Sequence, residues 1–442
     1  MSIQLEPPRA VLRIAAELEK AGFETWCVGG AIRDALLGHP HLDWDLATAA
    51  RPQQVRALFP RTIPVGIDFG TIGVLDEAGV MHEVTTYRRD VRTDGRHAVV
   101  EFGASLDEDL ARRDYTINAM AWSPNEKRLY DPLHGREDLD RKIVRAVGDP
   151  FERMREDRLR ALRAIRFAAR FGFNIEEATW RAIVASAPHL SRLSAERVRQ
   201  EIEKTMEQVK LPSRAFSLWR DSGAFGALIP PLAEVTELQL RAIDRICRPE
   251  LRGRPQRKAA RLSALFASVP PENVLDMLKG LRFSKADAAW ISSVISRWTL
   301  LHDEMSRAMA AGAPSDAALR RWAAIAGRTR LASIMRLADA YWWAECEAGV
   351  PVPSGTTIRS AYRRALRVAY NDPIELSDLA ITGRDLEKLD ISGPDVGEAL
   401  RMLLEIVIND PAANTHAGLL TIAHSWRAAG STNADGRPQR QR

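Results

Sequence analysis

Two aspartates in the segment HLDWDLAT, Asp43 and Asp45, stand two residues apart in a run of β-type composition. A strand repeats its side-chain direction every second residue, so both carboxylates are aimed at one face. Side by side they repel, and a divalent ion held by oxygen ligands is the usual remedy at neutral pH; Mg²⁺ bound together with phosphates suits such a pair best. Upstream, CVGGAIRD sets Gly29 and Gly30 between a β-type run and a helical one, where backbone N–H groups can approach an anion closely and Arg33 can add charge. This reads as a triphosphate cradle, the alternative being a tight turn whose glycines supply positive φ while Arg33 pairs with Asp34. Downstream, HEVTTY alternates Glu83, Thr85 and Tyr87. Either Glu83 brings a third carboxylate to the metals from a neighbouring strand, or this is a solvated strand face.

These groups need a scaffold, and the surrounding periodicity describes one. Residues 9 to 21 put Val11, Ile14, Ala15 and Leu18 on one helical face, with Pro7 and Pro8 before it and Gly22 after it. From Thr25 to about Arg88, the β-type runs TWCV, DWDLA, TIGVL and HEVTTY alternate with a helix at 31 to 37 and another opened by Pro52. After about residue 150 strand signals give way to helical patterns over 151 to 171, 176 to 187, 194 to 209 and onward to 428. The fold class expected is α+β, a small head with a mixed sheet followed by helices. Prolines at 212, 230, 231, 270 and 271 and the VPVPSG stretch separate helical blocks without a fixed repeat.

Composition excludes several classes. With 442 residues, 45% hydrophobic and 27% charged, the chain has the make-up of a folded multidomain protein. Lys and Arg number 63 against 58 Asp and Glu, and the pI near 9.2 suits a polyanionic partner without demanding one. Cys27, Cys247 and Cys346 form neither a CxxC knuckle nor an even disulfide set, which points to a reducing cytoplasm. No apolar run approaches the ~20 residues a membrane helix needs, and the N-terminus lacks the pattern of an export signal. The expectation is a cytoplasmic protein with no membrane contact and no visible obligatory protein partner.

GGAIRD, then DWD, then RRDYTINAMAW resembles the nucleotidyltransferases of the polymerase beta superfamily, specifically the bacterial and eukaryotic type of CCA-adding enzyme and its relative, bacterial poly(A) polymerase. The likeness runs on through LYDPLHGREDLDRKIVRAVGDP, MREDRLRALRAIRFAARFGF and LSAERVRQEI, over about residues 22 to 205. The resemblance implies a metal-bearing head, a helical neck that reads the incoming base, and a body and tail that hold tRNA. It implies CTP and ATP as substrates and two Mg²⁺ ions bridged by Asp43 and Asp45, with nucleotidyl transfer onto an RNA 3′ hydroxyl. Within RRDYTINAM, Arg112 and Arg113 resemble the family's nucleotide-binding arginines and Asp114 its partner near the sugar; the bland reading is a charged start to a helix over 115 to 121.

Glu156, Asp157, Arg160, Arg163 and Arg166 match the family's neck motif, with Asp157 and Arg160 in the base-reading positions. Cytosine and adenine both present an amino donor beside a ring-nitrogen acceptor, so one carboxylate and one guanidinium can serve both. Uracil and guanine reverse the pattern, and an unpaired buried group costs about 1–3 kcal/mol. Helical spacing makes Asp157 and Arg160 neighbours and turns Arg166 to the opposite side, so Arg163 and Arg166 are expected at phosphate or in neck packing. VGIDFGTIGV resembles the CCA-type xGxxFGT pattern and lacks the Arg-rich stretch usual in poly(A) polymerase. CCA addition is therefore expected over A-tailing, and a non-catalytic RNA-binding module would not need metal pair, RRD and neck together.

The domains expected are a head over 1–148, a neck over 149–210, a helical body and tail over 211–428 and a disordered basic tail over 429–442. His302 and Asp303 lack a histidine partner at metal spacing, and Trp322, Trp342 and Trp343 read as helical core. In YRRDVRTDGRH, charges around Gly95 indicate a mobile loop, which in the resembling family helps the pocket change from C to A.

Overall fold

A computed structural model describes residues 5–39, 44–93, 98–246 and 256–434. The chain divides into two units, Met1–Val235 and Thr236–Arg442. The first begins with helix α1 (Arg9–Lys20), which buries Val11, Ile14, Ala15 and Leu18, the face its spacing predicts. Strand β1 (Thr25–Val28) leads into α2 (Gly30–Leu36). There follow β2 (Asp45–Thr48), α3 (Pro52–Leu58), β3 (Thr62–Gly66), β4 (Thr71–Leu75) and β5 (Met81–Thr86). Strands β6 (Arg88–Thr93) and β7 (Ala98–Phe102) form a separate antiparallel pair before α4 (Leu106–Ala111), β8 (Ala121–Ser123) and β9 (Arg128–Tyr130).

Seven of these strands make one mixed sheet in the order β3-β4-β5-β2-β1-β8-β9, parallel between β2 and β5 and antiparallel elsewhere. Its two faces differ. Cys27, Leu46, Ile72 and Val84 are fully buried on one, and α1 and α3 lie against the sheet. On the other, α4 covers only one part, where Trp26, Val28, Ala47 and Ala121 pack with Leu106 and Leu110. The remainder of that face, over β5, β4 and β3, stays half open.

Several expectations need correction. No helix occupies 115 to 121: a 3₁₀ turn at Thr116–Asn118 runs straight into β8. Every residue from Tyr115 to Ala121 is buried, so the segment crosses the core and has no solvent side for an amphipathic helix. Tyr87 keeps to the face of Glu83 and Thr85, but it lies past the end of β5 with 1% exposure, packed with Ala47 in the part of that face covered by α4 and not in its half-open part. The helix read over 151 to 171 is two, α6 after α5 (Gly135–Asp140) over Pro150–Glu156, and α7 over Leu159–Phe171. Asp157 is extended at the break (φ −145°, ψ 105°), and its carboxylate accepts the Leu159 N–H at 3.0 Å, capping α7. Strand character also recurs near residue 150, where β10 (Ile143–Val144) pairs with β11 (Asn174–Ile175).

The neck continues through α8 (Glu177–Ser186) and α9 (Ala195–Gln208). The second unit is helical throughout its described residues, from Glu237–Arg245 to His416–Ala434. Trp322 and Trp342 are in its core, as read from spacing, and His302 stacks edge-on against Trp298 while bonding Asp303. The last helix reaches Ala434, into the stretch expected as tail. Among the described residues no helix is long and apolar enough to cross a membrane.

Candidate active site of the head and neck

Asp45 opens β2 and lies opposite Val28, the last residue of β1, so the carboxylate and the Gly29-Gly30 turn meet at one end of the sheet. On the other side, β2 runs parallel to β5 with Leu46 beside Val84 and Ala47 beside Thr85. Continuing that register one step sets Asp45 abreast of Glu83 on the half-open face, on strands about 4.8 Å apart. Asp43 lies outside the described residues. Asp45 and Glu83 are hard oxygen donors of the kind Mg²⁺ takes. The nearby soft donor is withheld, because Cys27 faces the buried side and burial, with a smaller push from Asp45, raises its thiol well above the usual range. The donor set thus fits a divalent oxygen-seeking ion.

Gly29 has φ 79° and ψ −139°, a backbone that only glycine adopts freely. A Cβ here would stand 3.0 Å from Arg113 Nη1, so that guanidinium overlooks the turn. Arg113 and Arg112 are both held by Asp109, which accepts Arg113 Nη2 at 3.1 Å and Arg112 Nη2 at 2.7 Å. Asp109 is 1% exposed; burial opposes its charge, yet the two arginines outweigh burial and hold its carboxyl below the usual range. Sequence reading missed Asp109. Its signal was available in SLDEDLARRD, where a Ser105–Glu108 capping box starts α4 and Asp109 precedes the arginines by three and four residues.

Arg33 takes the second of the two roles read for it. It is 4% exposed, its Nε donates to Asp34 at 2.8 Å, and Nη1 donates to the Asn118 amide oxygen. Its guanidinium also lies 5.1 Å from the Phe167 ring centre and 4.7 Å from that of Phe171, one helical turn apart on α7. Arg170 completes the joint by donating to Asp34 at 3.1 Å. The turn of the head is therefore pinned to the neck through aromatic faces and one shared carboxylate.

The neck motif is engaged in pairs. Asp114 accepts two bonds from Arg163, at 2.9 and 2.7 Å, and one from the Asn118 amide at 2.9 Å. Burial raises its carboxyl, but Arg163 and those bonds dominate and bring it down to about 2. Arg160 donates to Glu156 at 2.6 Å and to the Arg112 carbonyl at 3.1 Å. Asp157 accepts Arg197 Nη2 at 2.9 and 2.7 Å. Arg166 is turned away into a buried pair with Glu201 at 2.7 Å. The register thus sets Asp45 abreast of Glu83, Arg113 overlooks Gly29 and Arg163 bonds Asp114, whereas the side chains of Asp157 and Arg160 have separate partners. Arg197, in LSAERVRQEI, was the partner that local spacing could not supply.

A mixed sheet with a strand–Gly-Gly–helix turn beside paired carboxylates, backed by arginines and continued by a helical neck, defines a nucleotidyltransferase head. Residues 25–145 match the family described as Poly A polymerase head domain, and residues 172–235 the one described as Probable RNA and SrmB- binding site of polymerase A. The CCA-adding enzyme of Geobacillus stearothermophilus is 35% identical over 394 residues, 84% of this chain and 95% of that one. That of Geobacillus thermodenitrificans is 41% identical over 241 residues, 54% of this chain and 59% of that one. The crystal structure of the Bacillus stearothermophilus CCA-adding enzyme in complex with CTP superposes with a TM-score of 0.71 at 32% identity, over 97% of this chain and 100% of that one. The chain belongs to the CCA-adding enzymes, the tRNA nucleotidyltransferases.

Proposed function

We propose that the head adds C, C and A in turn to the 3′ end of tRNA on the sheet face shared by Asp45 and Glu83, using CTP and ATP. The observation that carries this reading is the register that sets Asp45 abreast of Glu83 beside the Gly29-Gly30 turn. The Arg113 guanidinium overlooking Gly29 favours the triphosphate there, with Arg112 beside it; Asp109 keeps both pointed. Two Mg²⁺ ions held by Asp43, Asp45 and Glu83 would supply Lewis acidity at the RNA 3′ oxygen and the α-phosphate.

In the reaction the RNA 3′ oxygen bonds to the α-phosphorus as the bond to the β-phosphate oxygen breaks, releasing pyrophosphate. Asp157 accepts the amino group of cytosine or adenine, and Arg160 donates to the adjacent ring nitrogen. Glu156 and the Arg112 carbonyl orient Arg160, and Arg197 orients Asp157, so the reader is preset before the base arrives. Asp114 and Arg163 link the arginine-bearing turn of the head to α7, which supports a role beside the sugar.

Incubating the protein with a tRNA lacking its CCA end, CTP and ATP, and sequencing the product 3′ ends, tests the reading. One CCA per molecule is expected; an untemplated run of A would show an A-tailing enzyme, and no extension would remove the catalytic assignment.

A further inference from the structure

The half-open face of the sheet carries an apolar shelf next to its carboxylates. Ile63, Val65 and Met81 are 42%, 44% and 38% exposed, although each belongs to a strand of the central sheet. The register sets Ile63 opposite Gly73 and Gly73 opposite Glu83, so these three positions share a face. A Cβ on Gly73 would stand 2.7 Å from Met81 Sδ and 2.9 Å from a Val65 methyl, so the two side chains meet over that glycine. Met81 is two residues before Glu83 on β5 and therefore its neighbour on the same face. Beside the shelf, Thr71 and Thr85 bond to each other through their hydroxyls at 3.0 Å and present only small side chains.

We propose that this shelf seats the 3′-terminal nucleotide of the acceptor RNA. The proposal rests on the catalytic reading above. The sheet order gives the direction of approach: the Gly29-Gly30 turn, Arg113 and the neck contacts lie on the β1 side of Asp45, which leaves the β5, β4 and β3 side for the chain that brings the 3′ hydroxyl. The chemistry agrees. The last nucleotide of the acceptor changes at every addition, so its seat has to accept different bases. Apolar contact with a ring face and a ribose does so, because every base has such a face, whereas a hydrogen-bonding pocket would select one. Exposed apolar side chains beside metal-binding carboxylates are otherwise a poor use of a surface.

The test is a cycle between shelf and terminal base in the full-length protein. Val65→Ser with Met81→Gln removes the apolar surface at exposed positions, and circular dichroism checks that the fold is kept. Single-turnover addition of C is measured on a truncated tRNA whose last nucleotide carries its base or is abasic. The base should speed the wild type by about tenfold, as burial of roughly 55 Å² of apolar surface would, and the double variant should lose most of that preference while its KM for CTP is unchanged. If shelf and base act independently, with the full preference kept in the variant, the proposal is overturned. It is also overturned if the variant keeps the preference and changes the oligomeric state by sedimentation, since the edge strand would then seat a second copy. Asp45→Ala, assayed alongside, separates the two readings: full activity in that variant removes the catalytic assignment itself, whereas an inactive Asp45→Ala with an unaltered shelf variant removes the shelf alone.

Discussion

Arg197 on α9 holds both carboxylate oxygens of Asp157 through a single nitrogen, at 2.9 and 2.7 Å, across the break between α6 and α7. The residue assigned to read the base is thus aimed from another helix, while its own backbone is extended and its carboxylate also caps α7. Removing the guanidinium leaves Asp157 free to rotate without deleting it. Arg197→Met is expected to raise UTP use relative to CTP by about tenfold, the value of one charged hydrogen bond at ~1.5 kcal/mol. Competition between labelled CTP and UTP on a truncated tRNA measures it; an unchanged ratio would mean that Asp157 is aimed without Arg197.

Asp43→Ala and Asp45→Ala should each lower incorporation of both CTP and ATP at least ~1000-fold, in the range seen when a preorganised charged group at a reacting centre is lost. tRNA binding by filter retention should stay within about twofold. Near-normal turnover in either variant would move the metal site elsewhere.

Asp109 is the buried anchor of Arg112 and Arg113, and Asp109→Asn strands two guanidiniums. A loss of about 3–5 kcal/mol is expected in urea unfolding, as when one member of a buried ion pair is removed. Activity at a temperature where the variant is folded should show a raised KM for CTP and ATP alike. A selective effect on one nucleotide would contradict a role in aiming the phosphate-binding arginines.

The pair of Asp114 with Arg163 makes a pH prediction. Its carboxyl is held at about 2, below the ordinary value of 3.8. A group depressed in the folded state contributes stability that is present above its unfolded value and lost as pH falls through the folded one. The stabilising contribution, about 2 kcal/mol, should therefore disappear between roughly pH 4 and pH 2. Asp114→Asn should flatten that part of the urea-denaturation profile as well as lower stability at pH 7. An identical slope in wild type and variant would place the acid sensitivity in other carboxylates.

Shortening residues 91 to 96 tests whether the segment after β5 resets the pocket for the larger purine. The two C additions should persist and the product should stall before the terminal A, read by sequencing 3′ ends. Equal loss of C and A addition, or A addition at the normal rate, would separate this segment from the change of base. Contrary to the loop expected over 87–97, residues 91–93 end strand β6 and pair with β7, so the deletion shortens this hairpin; residues 94–97 lie outside the described residues, and for them the expectation stands on sequence alone.

What the sequence determined by itself is whatever repeats along the chain. The apolar period placed the buried face of α1, the β-type runs located β1, β2, β4 and β5, and the strand period aimed Glu83 and Thr85 together. These are consequences of the 3.6- and 2-residue repeats, which act over a few neighbours. Tertiary structure decided the partners. Arg33 is spent on Asp34, Asn118 and two phenylalanines of α7, Arg170 reaches Asp34 across 136 residues of chain, and Asp157 meets Arg197 across 40. The break at Asp157 and the buried crossing from Tyr115 to Ala121 were decided the same way, by charges and core contacts supplied from distant elements. A charged side chain looks alike in sequence whether it meets substrate, solvent or an opposite charge; only the packing of head against neck brings the partner that settles its role.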